Sequence, residues 1–378
     1  MTDAVSSAAA TPTLGARFAG GEQSYRVLVW RRLRRSVAGM IGLALVAFVL
    51  LMALFADFVA PMDPYAPDAS FIPPDTIAFS DGGGNYSIFP RIYPVVESSD
   101  KLDPVTFQPL NGPDFEHPHY VSLFVKGAPY KWFGLIPWDR HLFGTLDGAP
   151  VHFLGTDKFG RDVLSRGIFG SRISLMIALI VVSITTSVGT TVGLFSGYVG
   201  GRFDAWLQRF VDMVLAFPQL PLYLALTSLI PITAPTSFFL AFVIFVMAAL
   251  GWAQLSREVR SKTLALARVD YVKAAVAVGA GDRRIIFQHI LPNVLSHVIV
   301  AVTLQVPAIV LLESFLGFLG FAVKPPLISW GLMLQDTGNF SVLGSYPWIL
   351  APVGFVLITV FAFNALGDGL RDAIDPYS

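Results

Sequence analysis

Residues able to do chemistry are few in this chain, and they are scattered. A phosphate-cradling loop needs glycines before its Lys-Thr pair, but the one such pair, Lys262 and Thr263, has none, so nucleotide hydrolysis is not expected of the chain itself. There is no serine between flanking glycines in the hydrolase spacing and no helix pattern with two histidines around a glutamate. The chain has no cysteine, which excludes disulfides, thiolate metal sites, iron–sulfur clusters and cysteine nucleophiles. His117, His119, His141 and His152 could ligate a metal, but the first two flank a proline, without helical i, i+4 spacing or a matching carboxylate. No metal site and no catalytic residues are therefore expected. Asp212 and Glu313 are different, because they lie in apolar stretches where a carboxylate is costly and often marks an ion relay. One such carboxylate, Asp212 or Glu313, would suffice for an ion-coupled transporter.

The elements that position these residues follow from composition. Only 14% of the side chains are charged and 54% are apolar, with mean hydropathy +0.63, against about 25% charged in an ordinary soluble domain. A net charge of zero gives no basic field for nucleic acid. Residues 37–56 carry no charge and are long enough to cross a hydrocarbon core of about 30 Å. Arginines flank this run and no small-residue cleavage site follows it, so a retained span is expected rather than a cleaved signal. Further apolar stretches at 173–195, 206–230, 238–255, 294–321 and 348–366 bring the expectation to six spans in the lipid bilayer.

With both termini inside, sixteen Lys and Arg fall on inner segments, Lys324 alone falls on a short outer loop, and nine fall in the long loop after the first span. Long loops translocate largely regardless of charge, so this orientation is the one expected. The expected divisions are a cytoplasmic tail over 1–36, whose polar, small-residue part at 1–21 reads as disordered, and a first span over 37–60. An outer lobe over 61–155 and a helical core over 156–378 follow. The lobe holds 14 of the 26 prolines and many aromatics, which predicts ordered but irregular structure. Its rings, Tyr130, Trp132, Phe133 and Trp138 among them, read either as a docking surface or as the lobe's own core.

Gly189, Gly193 and Gly197 recur every four residues in the second span and predict a face for close helix packing. The segment 257–293 is the most unusual one on the inner side. Residues 268–278 read as a short amphipathic helix, 279–281 as a glycine break, and Asp282 as the N-cap of a second short helix that Pro292 closes. Such a knuckle fits a groove on another protein, or equally rests on lipid through its basic residues.

At this segment the chain becomes recognisable. KAAVAVGAGDRRIIFQHILP (273–292) resembles the EAA loop of binding-protein-dependent ABC importer permeases through Ala274, Ala275, Gly279, Leu291 and Pro292. Lys273 stands where the family has glutamate, and His289 where many members have isoleucine. LGTDKFGRDVLSRGIFGSRISL (154–175), RFVDMVLAFPQLPL (209–222), ESFLGFLGFAVKPPLISWG (313–331) and NALGDGLRDAIDP (364–376) are similar to the C-type subunit of the oligopeptide, dipeptide and nickel branch. The lobe is larger than that branch leads one to expect.

The resemblance implies an all-α polytopic protein with the six-helix fold of type I ABC importer permeases, and the lobe read from the residues is then an irregular extracytoplasmic insertion between helices 1 and 2. It also implies a bacterial inner-membrane location, a homologous second permease, two ABC ATPases that bind ATP and Mg in place of any cofactor here, and an extracytoplasmic substrate-binding protein. Peptide is the implied substrate class, with nickel, opines and oligosaccharides carried by related branches. An ion-coupled transporter using Asp212 or Glu313, and a membrane enzyme with its site on the lobe, are the competing classes.

Overall fold

A computed structural model describes residues 25–80, 86–102, 109–132, 135–231 and 233–374. The stretch 1–21, expected to be disordered, lies outside them, as does Phe133. After a short helix α1 (Tyr25–Leu33), Ser36 opens α2 (Val37–Leu54) by accepting the N–H of Gly39. One helical turn, α3 (Ala56–Val59), then leads into the insertion. Beyond it come α4 (Val163–Val199), α5 (Gly201–Ala216), α6 (Gln219–Ser228), α7 (Thr236–Leu266), α8 (Asp270–Ala277), α9 (Asp282–Arg284), α10 (Leu291–Phe318), α11 (Trp330–Leu334), α12 (Phe340–Ser345) and α13 (Ala351–Ile374).

Among the described residues, five helical segments are long and apolar enough to cross a membrane: α2, α4, α7, the run through α9 and α10, and α13 with the turn before it. A sixth crossing requires α5 and α6 to act together, and they meet at a bend of 78°. The straight span expected over 206–230 is thus broken at its middle. Pro218 is the reason, because it drives Phe217 into extended backbone at φ −77°, ψ 136°.

The insertion is not irregular, contrary to the expectation from its prolines. It builds strands β1 (Thr76–Ser80), β2 (Tyr86–Tyr93), β3 (Val95–Leu102), β4 (Pro109–Pro113), β5 (His119–Trp132) and β6 (Ile136–Thr145). They form an antiparallel four-stranded sheet in the order β1-β2-β5-β6 and a β3-β4 pair. Several of the prolines fall where the ladder shifts or ends. Pro129 falls within the register shift between Lys126 and Tyr130, and Pro109 and Pro113 end their strand.

The lobe's own core is small, with Ile92, Val121 and Val151 buried and Phe153 against them. Some of its aromatics also reach the helices: Trp132 meets Phe55 at a tilt and Phe58 edge-on, with ring centroids 5.6 and 6.1 Å away, just past the end of α2. The same end of α2 has no basic side chain in its last turn, so its orphan carbonyls need a cation from elsewhere. Arg172 of α4 supplies it, donating to the carbonyls of Ala53 at 2.8 Å and Leu54 at 3.2 Å while pairing with Asp57 at 2.6 Å.

The first transmembrane core packs α2, α4, α10 and α13 around Val49, Ile168, Leu175, Val310 and Phe363. A second joins α4 to α6, α7 and α10 through Ile177, Tyr223, Val243, Met247 and Leu316. Glu313 does not mark the helix break that the length of the fifth apolar stretch suggests. It sits inside α10, fully buried, where Ser174 Oγ donates to it at 2.9 Å and in turn accepts the N–H of Trp330 at 3.1 Å. The carboxylate therefore ties α10 and α11 to α4.

Candidate functional site

On the face opposite the lobe, α8 and α9 form a corner whose geometry turns on one glycine. Gly279 takes φ +86°, a left-handed conformation that a side chain resists. Its N–H donates to Val276 O at 2.9 Å and that of Ala280 to Ala275 O at 3.0 Å. These two bonds satisfy the last carbonyls of α8 and turn the chain sharply. Gly281, not Asp282, stands at the N-cap of α9. Asp282 is the first residue of that helix, and its carboxylate accepts the Tyr198 hydroxyl at 2.7 Å, which moors the corner to the end of α4.

Pro292 does not close the second helix as the sequence suggests. It lies in the first turn of α10, and α9 runs into α10 through a π-helical turn at Ile285–Ile290. The widened turn lets the ladder pass a residue that has no N–H to give. The corner is consequently the outer end of a continuous 37-residue helical run, Asp282–Phe318. Its inner side packs Val272, Ile285 and Ile290 against Leu194, Leu255 and Val259, all buried. Its outer side is open: Val278 is 85% exposed, and Val276, Phe287, Arg283 and Arg284 are exposed beside it.

The residues singled out in the sequence take these places. Lys273 and Ala274 are exposed, the lysine reaching Asp270 at 3.4 Å, and Ala275 is half-buried. The His289 carbonyl accepts from Asn293 Nδ2 at 2.8 Å, and its ring lies 6.4 Å from that of Tyr271. Leu291 packs on the edge of the buried cluster. Gly189, Gly193 and Gly197 face α7: a Cβ on each would stand 2.8 Å from Trp252 O, 2.5 Å from Ser256 O and 2.8 Å from Arg260 O.

Sequence reasoning did not single out the ion pair that fixes α5 to this region. Arg260 of α7 donates twice to Asp204 of α5, each at 2.5 Å, and Ser196 of α4 donates to the same carboxylate at 2.5 Å. Asp212 is exposed and paired with Arg257. The only available signal was charge near span ends, which does not name partners 56 residues apart.

Of the histidines, none joins a metal-holding group among the described residues. His141 is buried between the carbonyls of Ala60 at 2.7 Å and Ala128 at 3.0 Å. His117 lies 2.9 Å from Asp114, and His119 lies 2.5 Å from Asp147. His152 sits at the junction of lobe and core, 3.3 Å from both Asp162, the N-cap of α4, and Asp68. Burial disfavours its charged form, but those carboxylates outweigh it and hold the imidazole above its usual range. Burial raises the Asp75 carboxyl, although the His152 N–H donates to it at 2.7 Å.

The family model described as binding-protein-dependent transport system inner membrane component matches residues 189–377, and the one described as N-terminal TM domain of oligopeptide transport permease C matches residues 24–74. The chain is 38% identical over 262 residues to the oligopeptide transport system permease protein OppC of Haemophilus influenzae, covering 68% of this chain and 81% of that protein. It is 39% identical over 226 residues to OppC of Bacillus subtilis (60% and 72% covered). To the dipeptide transport system permease protein DppC of Bacillus subtilis it is 38% identical over 226 residues (60% and 68%). The chain belongs to the family of binding-protein-dependent transport system inner membrane components, and it is a multi-pass inner-membrane permease.

Proposed function

We propose that this chain is one of two homologous membrane subunits of an ATP-driven, binding-protein-dependent importer of peptides. The observation that carries the reading is the exposed corner at Gly279–Gly281, placed at the end of a helical run that continues through the membrane core. A groove on an ATPase subunit that grips Val276, Val278 and Phe287 would move α10 as a lever, because an unbroken helical run joins the corner to the bundle. The identity to oligopeptide and dipeptide permeases supports peptide as the substrate class.

In this reading both termini and the 257–293 loop are cytoplasmic, α5 and α6 form a sixth, broken crossing, and the β lobe faces the binding protein outside. ATP and Mg are held by two partner ATPases and no cofactor by this chain. Closure of the ATPases would push the corner, and the bundle would exchange inward- and outward-facing states. Gly189, Gly193 and Gly197 would let α4 and α7 move as one unit. An ion-coupled mechanism is less favoured, because Asp212 is neutralised by exposed Arg257 and Glu313 serves as a tie between helices.

The test is uptake into proteoliposomes by the full assembly with its binding protein. ATP-dependent peptide accumulation that survives Asp212→Asn is expected. Uptake that needs an ion gradient and no ATP would overturn the reading, and ATP-dependent uptake of nickel, opines or oligosaccharides in place of peptides would overturn its substrate class.

A further inference from the structure

We infer that the groove between α2 and α4, under the end of the β5-β6 hairpin, binds an anionic phospholipid of the leaflet on the lobe side. The groove has a volume of about 660 Å³. Its walls are Leu50 and Leu54 of α2 and Met176 and Ile180 of α4, all of them more than a third exposed although they lie in helices apolar enough to span the membrane. That combination is a surface made for acyl chains.

The end nearest the lobe is charged. Arg172 and Asp57 line it as a pair, and Lys131 of β5 reaches the same groove. Among the described residues no carboxylate pairs with Lys131, so the charged side chains that line the groove, Arg172, Asp57 and Lys131, sum to one positive charge. An apolar slot ending in a single net cation is complementary to a phosphodiester with one negative charge, because opposite charges attract strongly where water is partly excluded.

The hairpin end fits the same boundary independently. Leu135, Ile136 and Trp138 are 81%, 59% and 48% exposed, and Trp132 beside them packs on Phe55 at the end of α2. Exposed apolar and aromatic side chains at the level where a transmembrane helix stops are the composition of a membrane interface. Such a lipid would brace the lobe against the bundle, a role independent of what the transporter carries or which subunits drive it.

The test is native mass spectrometry of the full chain, with the subunits that accompany it, after exchange into dioleoyl phosphatidylglycerol or dioleoyl phosphatidylcholine. Wild type is expected to retain phosphatidylglycerol preferentially. Lys131→Ala should reduce that retention about fivefold, the effect of one cation near the surface, and leave phosphatidylcholine little changed. Met176→Trp, which fills the slot without touching the charge, should remove both lipids. Equal retention of the two lipids by wild type, or phosphatidylglycerol retention unchanged in both variants, would overturn the site. So would displacement by inorganic phosphate, which marks a free-anion site, or cross-linking of Leu54→Cys to another polypeptide rather than to lipid.

Discussion

Gly193 of α4 faces Ser256 of α7 so closely that a Cβ on the glycine would stand 2.5 Å from the serine carbonyl oxygen. A backbone atom cannot swing aside as a side-chain tip can, so any side chain at 193 must push the two helices apart. Gly193→Leu should therefore destabilise the protein by about 1–3 kcal/mol, the usual cost of overpacking, read as a fall in thermal unfolding temperature in detergent. Gly354→Ala, where an added Cβ meets nothing within 4 Å, should be neutral or slightly stabilising.

The two ion pairs between α5 and α7 should differ in weight. Asp204 is mostly buried and accepts from Arg260 and Ser196, so Asp204→Asn should cost about 1–3 kcal/mol. Asp212 and Arg257 are both about half exposed, and Asp212→Asn should cost no more than about 1 kcal/mol. Denaturation midpoints of the two variants decide this, and equal losses would contradict the assigned difference.

At the corner, Gly279→Pro demands φ near −65° in place of +86° and removes the N–H that bonds Val276 O. In reconstituted assemblies ATP hydrolysis should persist while peptide uptake falls about tenfold, within the range of ordinary coupling energies. Paired hydrolysis and uptake assays separate this from simple misfolding, in which both are lost. Normal uptake would contradict the placement of force transmission at this residue.

The junction of lobe and core should weaken with rising pH. His152 has a folded pKa above its ordinary value, so its stabilisation is complete below that value and is lost as pH rises through the folded pKa. Asp75, also raised, acts in the same direction, because the fold favours its protonated form and the preference disappears as pH rises through its own folded pKa. Thermal stability of the lobe should thus decline as pH rises above the ordinary histidine value of about 6.5 and through the raised folded pKa of His152. His152→Gln should flatten that decline, and an unchanged profile in the variant would contradict the assignment.

Much of the architecture could be read from single segments. Hydropathy located the apolar helices, and the glycine at 279 marked the corner because one residue there must adopt positive φ. The features that escaped depend on residues far apart in the chain or on compensation. Pro292 looks like a helix terminator until the π turn ahead of it is known. The β5 strand hides because only Val121 and Val125 of its fourteen residues are deeply buried, which leaves almost no alternation to detect. Arg172 caps a helix 118 residues away, and Arg260 finds Asp204 56 residues away, distances over which composition carries no pairing information.

Docking of the α8-α9 corner on an ATPase can be measured directly, because the chain has no native cysteine. Val278→Cys places a single thiol at the most exposed point of the corner, for a short bifunctional cross-linker in membranes that hold the whole assembly. One dominant cross-linked partner, an ATPase subunit, is expected, with a yield that changes when ATP is added. Cross-linking to lipid alone, or a yield to the ATPase no higher than from a thiol placed at exposed Leu123 on the lobe, would contradict it.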